Sequence, residues 1–101
     1  MSTRLPFSRQ TMQLETMTDL RHEFDQAAED VQQLDQRPDN DTLLKLYALY
    51  KQGSEGDIHG DAPGFFDFVG TAKYEAWAKL RGTPEELAMQ RYIALVRELL
   101  S

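Results

Sequence analysis

Apolar residues recur at intervals of three and four positions along most of this chain, a spacing typical of helices with one buried face. The first such stretch ends before Pro38, because the residue before a proline is driven out of helical geometry. Its apolar positions are Leu20, Phe24, Ala27, Ala28, Val31 and Leu34. Charged and amide side chains lie between them, so the sequence predicts an amphipathic first helix.

A second helix is predicted to follow, with Asp39 or Asn40 capping its N terminus and Gly53 near its end. Its apolar positions are Leu43, Leu44, Leu46, Tyr47, Leu49 and Tyr50. One buried face does not require so much apolar surface, so part of it needs another explanation. Residues 53–66 contain four glycines and Pro63. They predict a long irregular loop, of the kind that is usually functional or packed as an Ω-loop.

A third helix is predicted to begin between Asp67 and Gly70 and to stop at Gly82. Its inner face is expected to carry Phe68, Ala72, Ala76, Trp77 and Leu80. Trp77 is therefore interpreted as a core residue. Lys73, taken alone, is typical of a solvated surface position.

The fourth helix has the clearest start signal, with Thr83 as N-cap, Pro84 at the first helical position and Glu86 three residues after the cap. Its apolar stripe is Leu87, Met89, Tyr92, Ile93, Val96, Leu99 and Leu100. No segment alternates with period two for long enough to be a strand. The sequence thus predicts an all-α domain of four helices over residues 19–101, with a long loop between helices 2 and 3.

Residues 1–18 show no sustained period and are rich in Ser, Thr, Gln and Met. We expect them to form a flexible extension outside the core. Two arginines and few acids give this segment a faint likeness to a mitochondrial transit peptide, whereas a tail without a targeting role is the simpler interpretation.

Composition narrows the function classes. The net charge of −6 argues against nucleic acid as a partner, because binding to a phosphate backbone needs a broad basic surface. The absence of cysteine rules out disulfides and thiolate metal sites, and no apolar run is long enough to span a membrane. His59 and the acids beside it lack the spacing of a calcium loop, so we expect no metal. No catalytic motif is present, which favours a binding module over an enzyme.

Aromatic residues and lysines are clustered. Tyr47, Tyr50 and Lys51 share one helical face, and Lys73 opens a second cluster, KYEAWAKLRGT. The tyrosines can be read as the edge of the core with hydroxyls reaching water. They can also be read as an aromatic floor for a nucleobase, with lysines beside it for a phosphate.

The order of these motifs resembles the acyl-CoA-binding protein family. The resemblance runs from about Leu20 to the C terminus and is carried by FDQAAEDVQQL, YxxYKQ, GD, PG, GxAKYxAW and KLxGTxxExAMxxYI. It implies an up-down-down-up four-helix bundle. It also implies non-catalytic binding of medium- and long-chain acyl-CoA esters, with no cofactor.

The resemblance also implies a role for individual residues. The ribose 3′-phosphate would be held by Tyr47, Lys51 and Lys73, while Tyr50 would stack on adenine and Tyr92 would contact the ligand from helix 4. The acyl chain would lie in a groove between helices 1 and 2. Residues near that groove are Ala28, Leu43 and Leu44.

Three positions depart from the family pattern. Lysine is common in the family where this chain has Gln32 and Val69. Both positions would lie near the pyrophosphate side of the ligand, so binding there would be weaker or rearranged. Tyr74 replaces a commoner tryptophan, a change expected to be mild.

These observations predict a monomeric cytoplasmic carrier that buffers and transports long-chain acyl-CoA for fatty acid metabolism, without stable insertion into membranes. The alternative is a small helical protein-interaction module without a lipid ligand. Such a module would use the apolar surplus of the second helix to grip a partner helix.

Overall fold

The computed structural model describes residues 19–101, and they are helical apart from the connecting segments. Residues 19–30 form α1, which continues into a 3₁₀ turn at Val31–Gln33. The next helices are α2 (Asn40–Glu55), α3 (Phe68–Ala78) and α4 (Glu85–Leu100). No residue between 19 and 101 is in a strand, so the all-α prediction is confirmed. The flexible extension expected at residues 1–18 lies outside the described residues.

Pairs of contacting residues give the directions of α2, α3 and α4. Tyr47 of α2 lies beside Lys73 of α3, and Lys51 lies beside Trp77. Both numbers rise by four, so α2 and α3 run parallel. Gly53 of α2 lies against Met89 of α4, whereas Gly56, just past the end of α2, lies against Glu85 at the start of α4. The numbers change in opposite directions there, so α2 and α4 are antiparallel.

The first helix runs in the same direction as α4. Leu20 lines a surface depression together with Pro84 and Glu86, at the start of α4. Three residues further along α1, Glu23 pairs with Arg97, near the end of α4, at 4.0 Å. The order up-down-down-up, which the family resemblance implied, is thereby confirmed.

The core lies where α1, α2 and α4 meet. Its buried members are Phe24, Ala27, Leu46, Met89, Tyr92, Ile93 and Val96. A β-carbon at Gly53 would lie only 3.0 Å from the ring of Phe24 and 3.2 Å from the Met89 side chain. Glycine at this position therefore lets α2 approach both neighbouring helices closely.

The prediction that α2 ends near Gly53 is wrong, and so is the placing of residues 53–55 in a loop. The helix continues to Glu55, and Gly56 ends it with a φ of +78°, a conformation that glycine adopts without steric cost. Gly53 is a packing residue inside the helix rather than its end. The connection between α2 and α3 is 56–67.

Helix caps follow the predictions in part. Asp39 caps α2, since its carboxylate accepts a hydrogen bond from the Thr42 amide at 2.8 Å. At α4, however, the Thr83 prediction is wrong: Pro84 has an extended ψ of 143° and occupies the N-cap position itself. Phe68 was expected on the inner face of α3 but is 72% exposed. It is the first residue of α3, and the next residue, Val69, is exposed as well.

Candidate functional site

Two lysines and two aromatic rings form crosswise pairs between α2 and α3, and we call this row the lysine seam. The Lys51 Nζ of α2 lies 4.9 Å from the ring centroid of Trp77 in α3. The Lys73 Nζ of α3 lies 5.3 Å from the ring centroid of Tyr47 in α2. Both distances are typical of cation–π contacts. Because the members within each helix are four residues apart, the two pairs are offset by roughly one turn, or about 6 Å along the helix axes.

The ring of Trp77 is fixed by hydrogen bonds to α2 and to the residue that follows it. Its Nε1 donates to Gln52 Oε1 at 3.1 Å and to the carbonyl oxygen of Gly56 at 2.9 Å. Gln52 itself is completely buried. Trp77 is buried too, which confirms its interpretation as a core residue. One face of the indole nevertheless supports the ammonium of Lys51.

The same glutamine joins the α2 terminus to the turn before α4. Gln52 Nε2 donates to Asp57 Oδ1 at 2.9 Å and to the carbonyl oxygen of Thr83 at 2.8 Å. Asp57 Oδ1 also accepts from the Gly82 amide at 2.8 Å. The Gly82 hydrogen bond, followed by that from Gln52, lowers the pKa of Asp57 below its ordinary value. The lysine seam is therefore held in place by a polar network at one end of the bundle.

Lys51 has a protein partner of its own. Its Nζ forms an ion pair with Glu55 Oε2, one turn further along α2. The other carboxylate oxygen, Oε1, lies 3.1 Å from His59 Nε2, and the imidazole packs edge-on against Trp77 with ring centroids 5.3 Å apart. The hydrogen bond from Lys51 is the largest cause of the lowered pKa of Glu55.

Tyr50 lies in an aromatic cluster next to the seam. Its ring stacks on Phe24 of α1 with centroids 5.2 Å apart and an angle of 17° between the planes. Tyr92 of α4 contacts both rings, edge-on to Phe24 at 5.2 Å and tilted to Tyr50 at 5.7 Å. Tyr50 is 40% exposed, whereas Tyr92 is only 4% exposed. Burial, followed by the proximity of Tyr50, raises the pKa of Tyr92.

The remaining predicted site residues lie in several environments. Ala28 and Leu43 are half-buried against the core, and Gln32 is exposed on the 3₁₀ turn. Leu44 points elsewhere, into a groove of about 590 Å³ between α2 and α3. The apolar lining of that groove is Leu44, Ala48, Leu49, Ala72, Ala76 and Leu80.

Sequence reasoning missed the involvement of Glu55, His59 and Gln52. A signal was present for Glu55, because it lies four residues after Lys51 on the same helix. Ending the helix at Gly53 hid this signal. His59 lies in the loop, where a spacing of four has no helical meaning. Gln52 could not be predicted to be buried. Periodicity treats glutamine as a surface residue, and the polar YKQ motif gives no sign that this one lies inside the protein.

Two other kinds of feature are absent from the part of the chain that the structure describes. Between residues 19 and 101, no group of three or more histidine or acidic side chains is placed to share a metal ion. Over the same range, no helix combines the length and the apolar character needed to cross a bilayer.

Comparison with known proteins agrees with this geometry. The family model for Acyl CoA binding protein matches residues 21–96. Acyl-CoA-binding protein homolog 1 of Caenorhabditis elegans is 50% identical over 78 residues, which is 77% of this chain and 91% of that protein. The crystal structure of Oryza sativa Acyl-CoA-Binding Protein 2 has 35% identity and a TM-score of 0.80, covering 84% of this chain and 92% of that chain.

A larger relative contains a segment of the same kind. Enoyl-CoA delta isomerase 2 of Rattus norvegicus is 41% identical over 98 residues, which is 97% of this chain but only 25% of that protein. This chain thus spans about a quarter of the isomerase relative's length. The matched family model covers most of α1 to α4 and includes the whole lysine seam. The chain belongs to the acyl-CoA-binding protein family.

Proposed function

We propose that this chain binds long-chain acyl-CoA esters as a monomer, catalyses no reaction on them, and carries and buffers them in the cytoplasm. The observation that carries the proposal is the lysine seam, where Lys51 and Lys73 lie on one surface formed by two helices. The domain is otherwise acidic, with a net charge of −6 for the chain. Two adjacent cations on such a surface support a local site for an anionic group.

The ribose 3′-phosphate of CoA is proposed to bind at the seam. The ammonium groups of Lys51 and Lys73 would donate to its oxygens, with the hydroxyl of Tyr47 as a third donor. An offset of four residues, about 6 Å, is compatible with two donors on one phosphate. Each such charge-assisted hydrogen bond contributes roughly 1.5–3 kcal/mol.

The adenine is proposed to stack on Tyr50. One face of this ring is covered by Phe24, which fixes its orientation. The 40% exposure of Tyr50 is compatible with a free second face for a nucleobase. Tyr92 would contact the ligand with only a small part of its surface, because it is 4% exposed.

The acyl chain is proposed to lie between α1 and α2, near Ala28 and Leu43, whereas Gln32 is proposed to lie near the pyrophosphate. Leu44 is not included, because it lines the groove between α2 and α3. Each buried methylene contributes about 0.8 kcal/mol. Ten methylenes would give about 8 kcal/mol before the costs of ordering the chain are subtracted. Free CoA should therefore bind far more weakly than its long-chain esters.

The interaction module without a lipid ligand is not favoured, because the family model and the relatives point to acyl-CoA binding. The isomerase activity in the name of the rat relative is not carried over either. The matched segment is only a quarter of that protein.

The first test is isothermal titration calorimetry with palmitoyl-CoA, free CoA and free palmitate. The ester is expected to bind tighter than either fragment by orders of magnitude, because only the ester uses both the cationic and the apolar parts of the site. Equal binding of ester and free CoA would contradict the proposed apolar groove. Absence of ester binding would contradict the proposed function as a whole.

The second test uses all four lysines of the chain. Lys51→Met and Lys73→Met are each expected to weaken palmitoyl-CoA binding about tenfold or more, since each loses one charge-assisted contact. Lys45→Met and Lys79→Met are matched controls. These two substitutions remove the same charge, but the lysines lie beside the α2–α3 groove that contains Leu44 and are not members of the lysine seam. The controls are expected to stay within about twofold of the wild type. Equal losses in all four variants would indicate general charge attraction rather than a site.

A further inference from the structure

The carboxylate of Glu55 is paired with the ammonium group of Lys51, which the proposed ligand would also need. We propose that Glu55 is a built-in competitor for Lys51, which a phosphate must displace, and that His59 holds the displaced carboxylate. The inference rests on the proposed function, because the phosphate in question is that of the acyl-CoA ligand. It concerns how binding at the seam is regulated, not whether the seam binds.

Each carboxylate oxygen of Glu55 has its own partner. Oε2 pairs with Lys51 Nζ, and Oε1 lies 3.1 Å from His59 Nε2. Loss of the Lys51 contact would leave the second contact in place. The carboxylate therefore keeps its contact with His59 when Lys51 binds another anion.

The position of Glu55 favours its release. It is the last residue of α2, where the partial negative charge of the helix end disfavours a carboxylate. Its side chain is 38% exposed and that of Lys51 is 24% exposed, so water screens the pair. A screened pair of this kind contributes less than a phosphate bound by two lysines would contribute.

His59 is held where it can receive the carboxylate. Its imidazole packs edge-on against Trp77, on the same indole that supports Lys51. The nearby acid Asp57 is already engaged with Gln52 and Gly82. Glu55 is thus the carboxylate that His59 contacts, and the three side chains of residues 51, 55 and 59 form one chain of contacts.

The first experiment measures palmitoyl-CoA affinity in Glu55→Gln. Removing the competing charge is expected to tighten binding about two- to fivefold, the range given by an exposed ion pair. Glu98→Gln is the matched control, because it changes the net charge equally at an exposed position on α4. Unchanged or weaker binding in Glu55→Gln, with the wild type binding normally, would overturn the inference alone. A wild type that does not bind would instead contradict the proposed function.

The second experiment is a double-mutant cycle with His59→Ala. This change is expected to weaken binding by up to about threefold in the wild type, because Glu55 then has Lys51 as its remaining partner. In the Glu55→Gln background the same change is expected to have no effect, since the carboxylate is gone. Additive effects would overturn the role of His59. Thermal unfolding of each variant checks that the domain remains folded.

The third experiment identifies the competing group on the ligand. Palmitoyl-dephospho-CoA lacks the 3′-phosphate, so Lys51 has no partner on it at the proposed position. The gain in Glu55→Gln is expected to vanish for this analogue. An equal gain for both esters would overturn the competition between Glu55 and the phosphate.

Discussion

Gln32 and Val69 are uncharged and exposed at positions where the family resemblance led us to expect lysines. Gln32 lies on the 3₁₀ turn after α1, and Val69 lies one turn before Lys73 on α3. The proposed site consequently has two cations for a ligand that carries several phosphate charges. This shortage makes each remaining lysine more important.

Gln32→Lys is expected to tighten palmitoyl-CoA binding several-fold, because it adds a cation on the proposed pyrophosphate side. It should also steepen the loss of affinity between about 50 mM and 200 mM salt, since exposed charge contacts are screened. Calorimetry at the two salt concentrations measures both effects. Gln90→Lys, at an exposed position on α4, is the control and should leave the affinity within about twofold. Equal gains in both variants would show that position 32 is not near the ligand.

At the scale of the helices, periodicity predicted the elements well and their ends poorly. α2 and α4 have apolar stripes long enough to be recognised. Asp39 was one of two capping residues predicted for α2, and Asp67, which caps α3, lies at the edge of the range predicted for its start. The end of α2 was placed wrongly at Gly53, because a glycine needed for close packing looks the same in the sequence as a glycine that ends a helix. The N-cap of α4 was assigned wrongly to Thr83. The sequence matches a capping motif that starts at Thr83, but Pro84 occupies the N-cap position in the structure.

The candidate site could likewise be predicted only in part from helical periodicity. Local spacing placed Tyr47, Tyr50 and Lys51 on one face, which needs only the geometry of a helix. Pairing that face with Lys73 depends on how two helices pack, and periodicity carries no information about partners. The family resemblance supplied the pairing, and the cation–π contacts place the residues accordingly.

Gln52→Met is expected to lower the free energy of unfolding by about 1–3 kcal/mol, because the Thr83 carbonyl and one Trp77 hydrogen bond lose a buried partner. Urea denaturation followed by fluorescence measures the change, and Trp77 is the single tryptophan of the chain. Gln90→Met, exposed on α4, should change stability by less than about 0.5 kcal/mol. Similar losses in both variants would mean that the network adds nothing to stability.

For the whole molecule, the network at residues 52, 57 and 77 connects parts that periodicity leaves separate. It ties the end of α2 and the following loop to α3 and to the turn before α4. In the family motifs the GD and GT pairs belong to this network, through Asp57 and Thr83. Some of the residues that carry the family resemblance thus hold the helices together, whereas the lysine seam is proposed to hold the ligand.

Asp57 makes this frame sensitive to acid. Its pKa is lowered by the hydrogen bonds from Gly82 and Gln52, so the folded state favours the charged carboxylate. That contribution is complete above the ordinary aspartate pKa of about 3.9 and is lost as the pH falls through the lower pKa of the folded protein. The same sign applies to Asp39, whose pKa is lowered by the hydrogen bonds from Thr42.

Asp57→Asn is therefore expected to lower the thermal unfolding midpoint at pH 7, where it replaces a charged acceptor by a neutral one. At pH 3 the difference from the wild type should shrink, because below the ordinary aspartate pKa the unfolded wild-type chain takes up a proton and the charged carboxylate contributes less to folding. Asp61→Asn, at an exposed position in the same loop, should follow the wild type across the range. If the difference in unfolding midpoint between Asp57→Asn and wild type stays constant from pH 7 to pH 3, the amide destabilises the protein through its hydrogen-bonding geometry and not through the lost charge. The charge of Asp57 would then have no part in joining the helices.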